Sequence, residues 1–293
     1  MADISHIAFL NPQGNFDPDD SYWTEHADFG GQLVYVKEVA LALAKKDINV
    51  DIITRQIKDK DWPEFSGKID YYPENDKVRI IRLPFGGQEF LEKELLWPHI
   101  HNYVNEIIHF YEEEGSYPEA FTTHYGDGGL AGVLFNEKTG IPFTFTGHSL
   151  GAQKMDKLNV NSDNFQKMIN RFKFHRRIAA ERLTMDRANK IIVSTSQERY
   201  EQYSHPLYKN AVDVDNSNKF SVIPPGANTE IFNGEYSKEM KDKLDNYLSR
   251  DIAKNRLDLP AIIASSRLDQ KKNHLGLVKA FAKNDKVNKK ANL

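Results

Sequence analysis

Five consecutive residues, Gly147-His148-Ser149-Leu150-Gly151, spell the Gly-x-Ser-x-Gly turn on which serine hydrolases expose their nucleophile. That chemistry needs a histidine base on a later loop of the same sheet, and the later histidines are His175, His205 and His274. His175 falls in the middle of a helical stretch beside Arg176 and Arg177, whose charge disfavours the imidazolium that a base must become. His205 sits in "YSHPLY" and His274 among lysines. None of them completes a triad, so Ser149 reads as turn chemistry, and a serine hydrolase is kept as the rival from another class. Asp28-Phe29-Gly30 similarly spells a kinase magnesium motif, but no His-Arg-Asp loop precedes it.

Anion chemistry is better supplied. Gly30 and Gly31 open a helix, where free backbone N–H groups and the missing Cβ let a ligand approach closely. Lys154 follows His148 by six residues, and "FHRR" puts Arg176 and Arg177 on a later helix whose Phe172, Ala179 and Leu183 define an inward face. Adjacent helical residues diverge, so one of the two arginines reaches inward. A guanidinium fork with a compact ammonium suits a phosphate monoester. In "SSRLDQKKN", Arg267 follows a strand and Lys272 precedes a helix, a spacing that brackets a diphosphate between two fixed charges and neutralises a leaving group without a metal. Asp127, in "GDGG", is the carboxylate candidate because it occupies a loop after a strand, whereas Glu106 and Glu114 read as solvated on the outside of a helix. No His/Asp/Glu cluster has metal-ligand spacing, and neither metal nor cofactor is expected.

These residues need a scaffold, and short β-rich runs supply one: 6–10, 50–54, 78–83, 121–125, 143–148, 190–196, 220–225 and 261–266. Helical periodicity fills the gaps, as with Leu33, Val36, Ala40 and Leu43 over 31–46, and Ile100, Val104, Ile107 and Phe110 over 95–113. Alternation of this kind predicts an α/β fold, a parallel sheet covered on both faces, with ligands beyond the carboxyl ends of its strands. The pattern changes near residue 224. The expected organisation is a Rossmann-like domain over 1–224, a helical linker over 225–258, and the first elements of a second Rossmann-like domain over 259–293.

Composition narrows the partners. The chain has 293 residues, with 39 Lys+Arg against 42 Asp+Glu and a net charge of −3, so no basic excess points to nucleic acid or an anionic membrane. It contains no cysteine, which removes disulfides and thiolate chemistry, and no apolar run approaches a membrane span. The N-terminus lacks the basic and apolar regions of a signal peptide, so a cytoplasmic address is expected.

Taken in order, "DFGGQLVYVKEVALAL", "TGHSLGAQKM", "FHRRIAAERL", "KIIVSTSQE", "VIPPGANTEIF" and "SSRLDQKKN" resemble the sucrose-phosphate synthases, retaining nucleotide-sugar glycosyltransferases of GT-B fold. The resemblance covers nearly the whole chain, although "GGQ" and "PPG" are shared with sucrose synthases. It implies two Rossmann-like domains facing across a cleft, the first for the acceptor and the second for the nucleotide sugar. The implied reaction transfers glucose from UDP-glucose, a co-substrate rather than a cofactor, to fructose 6-phosphate, giving sucrose 6-phosphate. On this resemblance Gly30, Gly31 and Gln32 touch the acceptor, with Gly31 also meeting the donor, and Lys93 helps hold the fructose. Lys154, Arg177 and Arg176 take the 6-phosphate, Asp127 joins the acceptor site, and His148 faces the donor glucose and stabilises positive charge in the transition state. Arg267 and Lys272 bind the donor diphosphate. The family's second domain also supplies a uridine pocket, a glycine-rich phosphate loop and two glutamates, so the remainder of that domain is an implied partner. A sucrose synthase-like enzyme and a non-catalytic sugar-phosphate-binding module are the nearer alternatives.

Overall fold

Successive side chains of a strand point to opposite faces of its sheet, and strand β1 (His6–Leu10) shows the consequence. Ala8 and Leu10 enter one hydrophobic core and Phe9 enters the other. Helix α1 (Gly31–Ala44) covers the second face with Leu33, Val36, Ala40, Leu41 and Ala44. Strand β2 (Asn49–Arg55) again divides its residues, Val50 and Ile52 toward α1 and Ile53 away from it. Next come β3 (Ile69–Tyr72), β4 (Asn75–Leu83), α2 (Ile100–Glu114), β5 (Ala120–His124), α3 (Tyr125–Thr139) and β6 (Phe143–Thr146). The alternation continues through α4 (Gly151–Lys157), α5 (Phe165–Phe172), α6 (Phe174–Arg187), β7 (Lys190–Val193), α7 (Ser196–Gln202) and β8 (Phe220–Val222). This computed structural model describes residues 4–23, 29–266, 268 and 272–293.

Among the described residues, eight strands form one sheet in the order β3-β4-β2-β1-β5-β6-β7-β8. Every pairing is parallel except β3 with β4, a pair that the sequence pattern does not mark. Only two residues, Pro73 and Glu74, join them, and so short a connection permits only an antiparallel return. The chain winds one way from β1 to β2 and the other way from β1 to β5. The crevice between their carboxyl ends is therefore the switch point at which doubly wound sheets bind ligands.

Close packing holds one wall of that crevice. "GDGG" is not the loop expected but the first turn of α3, because its glycines let the helix press on its neighbours. A Cβ on Gly128 would lie 2.8 Å from the Leu10 carbonyl oxygen, and one on Gly132 would lie 2.6 Å from the Thr123 methyl. Deeper in the sheet, the buried Asp51 accepts hydrogen bonds from His6 Nε2 (2.7 Å), Arg79 Nε (2.8 Å) and Tyr111 Oη (2.8 Å). Burial raises its pKa, yet the hydrogen bonds from His6 and Arg79 outweigh this and hold the carboxyl below its usual range. Glu114 is paired with Arg79 at 2.8 Å rather than merely solvated.

The structure divides into two units, Met1–Gly226 and Ala227–Leu293. The second contains α8 (Lys238–Asp251), α9 (His274–Lys283) and α10 (Asp285–Asn288). Residues 261–266 do not form the strand their composition suggests; among the described residues Ala261 makes a single bridge, to Asn292. A strand needs neighbours to satisfy its backbone and cover its side chains, and here Ile263 is 84% exposed. Arg256 organises the end of the unit, donating to the carbonyls of Asn288 (2.7 Å) and Ala291 (2.6 Å).

Candidate functional site

Four polar side chains meet at the switch point. Asn11, directly after β1, accepts from Gln32 Nε2 at 2.6 Å through its Oδ1, while Gln13 Nε2 donates to Asp127 Oδ1 at 2.9 Å. The Asn11 Nδ2 and the Asp127 Oδ2 are buried without a hydrogen-bond partner among the described residues. A protein interior seldom leaves such atoms unpaired, so a donor and an acceptor stand ready for a polar ligand. Asp127 is 4% exposed, and burial lifts its pKa to about 6 against the opposing pull of backbone N–H groups, Arg177 and Lys93. Lys93 and Arg177 thus share the electrostatic neighbourhood of this carboxyl. Gly30 and Gly31 stand at the start of α1, where an added Cβ would meet nothing within 4 Å, leaving the backbone open to approach.

A second group lies at the ends of β5 and β6. His124 Nδ1 and His148 Nε2 are 2.8 Å apart, and the two rings meet end to end and nearly coplanar, with centroids 5.1 Å apart and 25° between their planes. Phe9 stacks on His124 at 5.6 Å, and Tyr35 closes edge-on against His148 at 5.0 Å. Burial in this aromatic wall lowers the pKa of His148 to about 4, and burial together with the neighbouring His148 holds that of His124 well below its ordinary value. Burial therefore favours the neutral form of both imidazoles at pH 7.

The backbone here is unusual. His148 has φ 53°, and Ser149 N donates to the Gly147 carbonyl at 2.5 Å, so His148 is the central residue of a three-residue turn. In a nucleophile elbow the serine itself occupies the strained position; here the histidine does. The Ser149 carbonyl accepts from Arg177 Nη2. His205, the nearest thing to a partnered base, receives a hydrogen bond at Nδ1 from Leu207 N and faces Asp156 at 3.2 Å. His175 lies at the start of α6, not in its middle, and is exposed.

Arg177 turns inward and Arg176 is exposed. The Arg177 Nε is held by Glu181 at 2.9 Å, four residues along α6. Glu181 is fully buried; it also accepts from Gly151 N at 3.0 Å and from the Tyr208 hydroxyl. With Nε and Nη2 engaged, Arg177 is locked in one orientation. Lys154 lies 4.2 Å over the Phe172 ring. The inward face of α6 is therefore Phe174, Ala180, Glu181, Thr184 and Met185, not the one expected from Phe172, Ala179 and Leu183. Ala179 and Leu183 instead line an outer groove of about 420 Å³ with Arg176, Trp97 and Leu130. The polar side wins because glycines 126, 129 and 151 bring neighbouring backbone against it.

In the second unit, Lys272 is exposed just before α9, and Arg267 lies outside the described residues, as does Asp28. Among the described residues, no group of three or more acidic or histidine side chains is arranged to hold a metal. Sequence patterns alone do not single out Asn11, Gln13, His124 or Glu181. Glu181 does carry a readable signal, its spacing of four from Arg177 on a helix.

A doubly wound sheet with its polar crevice at the strand reversal is the architecture of a GT-B glycosyltransferase domain. Residues 1–252 match the family described as sucrose synthase first GT-B domain, and the chain belongs to that family. It is 50% identical to a probable sucrose-phosphate synthase of Thermosipho melanesiensis, over 94% of this chain and 60% of the relative. It is 33% identical to probable sucrose-phosphate synthase 1 of Citrus unshiu, over 98% of this chain and 32% of that protein. The chain thus spans about 60% of the length of the first and a third of the second. Among solved structures, sucrose-phosphate synthase from Thermosynechococcus elongatus superimposes with a TM-score of 0.67 at 22% identity, covering 96% of this chain and 60% of that one, which shows the shared fold. No helix among the described residues is long and apolar enough to cross a membrane.

Proposed function

We propose that this chain forms the acceptor-binding part of a retaining glucosyltransferase that makes sucrose 6-phosphate from UDP-glucose and fructose 6-phosphate. The observation that carries this reading is the pairing of two unsatisfied buried atoms, Asn11 Nδ2 and Asp127 Oδ2, with cationic groups around the same carboxyl. Sugar hydroxyls both donate and accept, and so suit the pair. Lys93 holds the fructose beside Asp127. Arg177, locked by Glu181, and Lys154 take the 6-phosphate, while the exposed Arg176 contributes long-range attraction. Gly30, Gly31 and Gln32 shape the acceptor wall.

On the same reading His148 faces the donor glucose and stabilises the developing cation through its backbone carbonyl or a ring hydrogen bond. A neutral ring can do this without opposing charge. Arg267 and Lys272 bind the donor diphosphate and neutralise the leaving group, with no metal required and no side chain acting as nucleophile. A cytoplasmic setting accords with the absence of cysteine.

Titration calorimetry tests the acceptor assignment. Fructose 6-phosphate should bind at least tenfold more tightly than fructose, and Lys154→Ala should abolish that difference. Equal affinities would favour the sucrose synthase-like alternative, which uses unphosphorylated fructose. Product analysis with UDP-glucose and fructose 6-phosphate tests turnover, and labelling of Ser149 by a fluorophosphonate probe would instead establish a hydrolase.

A further inference from the structure

The function proposed above uses His148 and leaves its neighbour unexplained. His124 ends β5, is 2% exposed, stacks on Phe9, and meets His148 end to end in its own ring plane, with Tyr35 inclined to it at 5.9 Å. Its Nδ1 bonds His148 Nε2, and its Nε2 is buried with no partner among the described residues. Strand register fixes this meeting, since His124 pairs with Thr146 and the turn at His148 follows two residues later. Tyr125, the residue after His124, is also in the left-handed region at φ 59°. Bulky residues occupy that region only where the surroundings compel it, so both strand ends hold their rings in place.

Two neutral imidazoles joined by one hydrogen bond allow two proton arrangements. In the first, His124 donates from Nδ1 to His148 Nε2, and the enclosed His124 Nε2 is a lone pair. In the second, His148 donates from Nε2, and His124 must carry its own proton on Nε2, an N–H enclosed with no acceptor. Orphaned buried N–H groups are rarer in proteins than under-satisfied acceptors, which selects the first arrangement.

We propose that His124 is a positioning residue that fixes His148 as its Nδ1–H tautomer, making that ring a neutral hydrogen-bond donor. Free neutral histidine favours the other tautomer, so the hydrogen-bonded neighbour reverses an intrinsic preference. The tautomer assignment stands on the hydrogen bond between the rings and the enclosure of His124, both imidazoles being kept neutral by burial. Its use, donation from Nδ1 to an oxygen of the transferred sugar, rests on the glucosyl-transfer reading.

The test is a long-range proton–nitrogen correlation spectrum of this 293-residue chain, labelled with 15N-histidine at pH 7.5, with His148 assigned by His148→Gln. The proton of His148 is expected on Nδ1. His124→Asn, whose amide N–H stands near the imidazole Nδ1 position, should keep it there. His124→Phe, which keeps an aromatic ring against Phe9 and removes the donor, should move the proton to Nε2. A wild-type His148 protonated on Nε2, or an unchanged tautomer in a folded His124→Phe, overturns the proposal. If the phenylalanine variant does not fold, the wild-type and asparagine spectra decide it: Nε2 protonation in either one overturns the assignment. Failure of the glucosyl-transfer reading would appear separately, as absent sugar-phosphate binding with the Nδ1–H tautomer intact.

Discussion

The two units of this chain spend their apolar residues differently. In residues 1–226 an eight-stranded sheet buries two continuous cores, and even its polar interior groups, such as Asp51 and Glu181, are mostly paired. In residues 227–293 Phe232, Ile263 and Leu268 are 77%, 84% and 91% exposed, and the run at 261–266 makes one bridge. Similar local sequences therefore end in different states: "AIIASS" is as strand-like as "KIIVSTS", but only the latter has parallel partners on both sides. Strand formation here is a property of the sheet that receives the segment.

All three tryptophans, Trp23, Trp62 and Trp97, lie in the first unit, so tryptophan fluorescence reports its unfolding separately. The largest effect should come from Glu181→Ala, which strips Arg177, Gly151 N and Tyr208 of one shared partner in a buried setting. A loss of about 3–5 kcal/mol is expected in denaturant unfolding followed by this signal. Asp127→Asn should act in the opposite direction. The wild-type carboxyl titrates near 6 when folded and near 3.8 when unfolded, so its charge costs roughly 3 kcal/mol at neutral pH. Wild-type stability from this group is full below about pH 4 and falls as pH rises through 6. The variant's advantage should therefore be largest above pH 7 and vanish near pH 4, read from paired unfolding curves, while fructose 6-phosphate affinity drops.

Gly132→Val comes next. Its branched side chain would press on Thr123 and Phe143, for an expected cost of about 1–3 kcal/mol in the same signal. The smallest effect belongs to the second unit, where Ile263→Ala should change stability by no more than about 0.5 kcal/mol by circular dichroism. A loss of several kcal/mol there would show that the exposed side chain is covered in solution and would erase the contrast between the units.

Much of the fold is legible in the sequence because the parallel strands are short apolar runs separated by helices with a clear apolar stripe. β3 is not, because "IDYY" is only four residues long and its pairing depends on the tight return at Pro73-Glu74. The start of α3 resembles a loop because glycine lowers helix propensity, a local cost that close packing on β1 and β5 outweighs. At the candidate site, Arg177 is readable from its charge and position. Which face of α6 it occupies is decided by glycines on other elements, which no single-helix pattern contains. His124 is hidden for a related reason: its meaning comes from a ring in the turn that follows the adjacent strand.

The left-handed turn at His148 has a consequence for mutational work at this position. An alanine there removes the imidazole and also penalises the φ of 53° that aims the carbonyl, so one substitution merges two effects. Asparagine and glycine both tolerate that dihedral, and only one of them brings a polar side chain. Comparing these two would separate what the main chain contributes from what the ring contributes, a partition a conventional scan would miss.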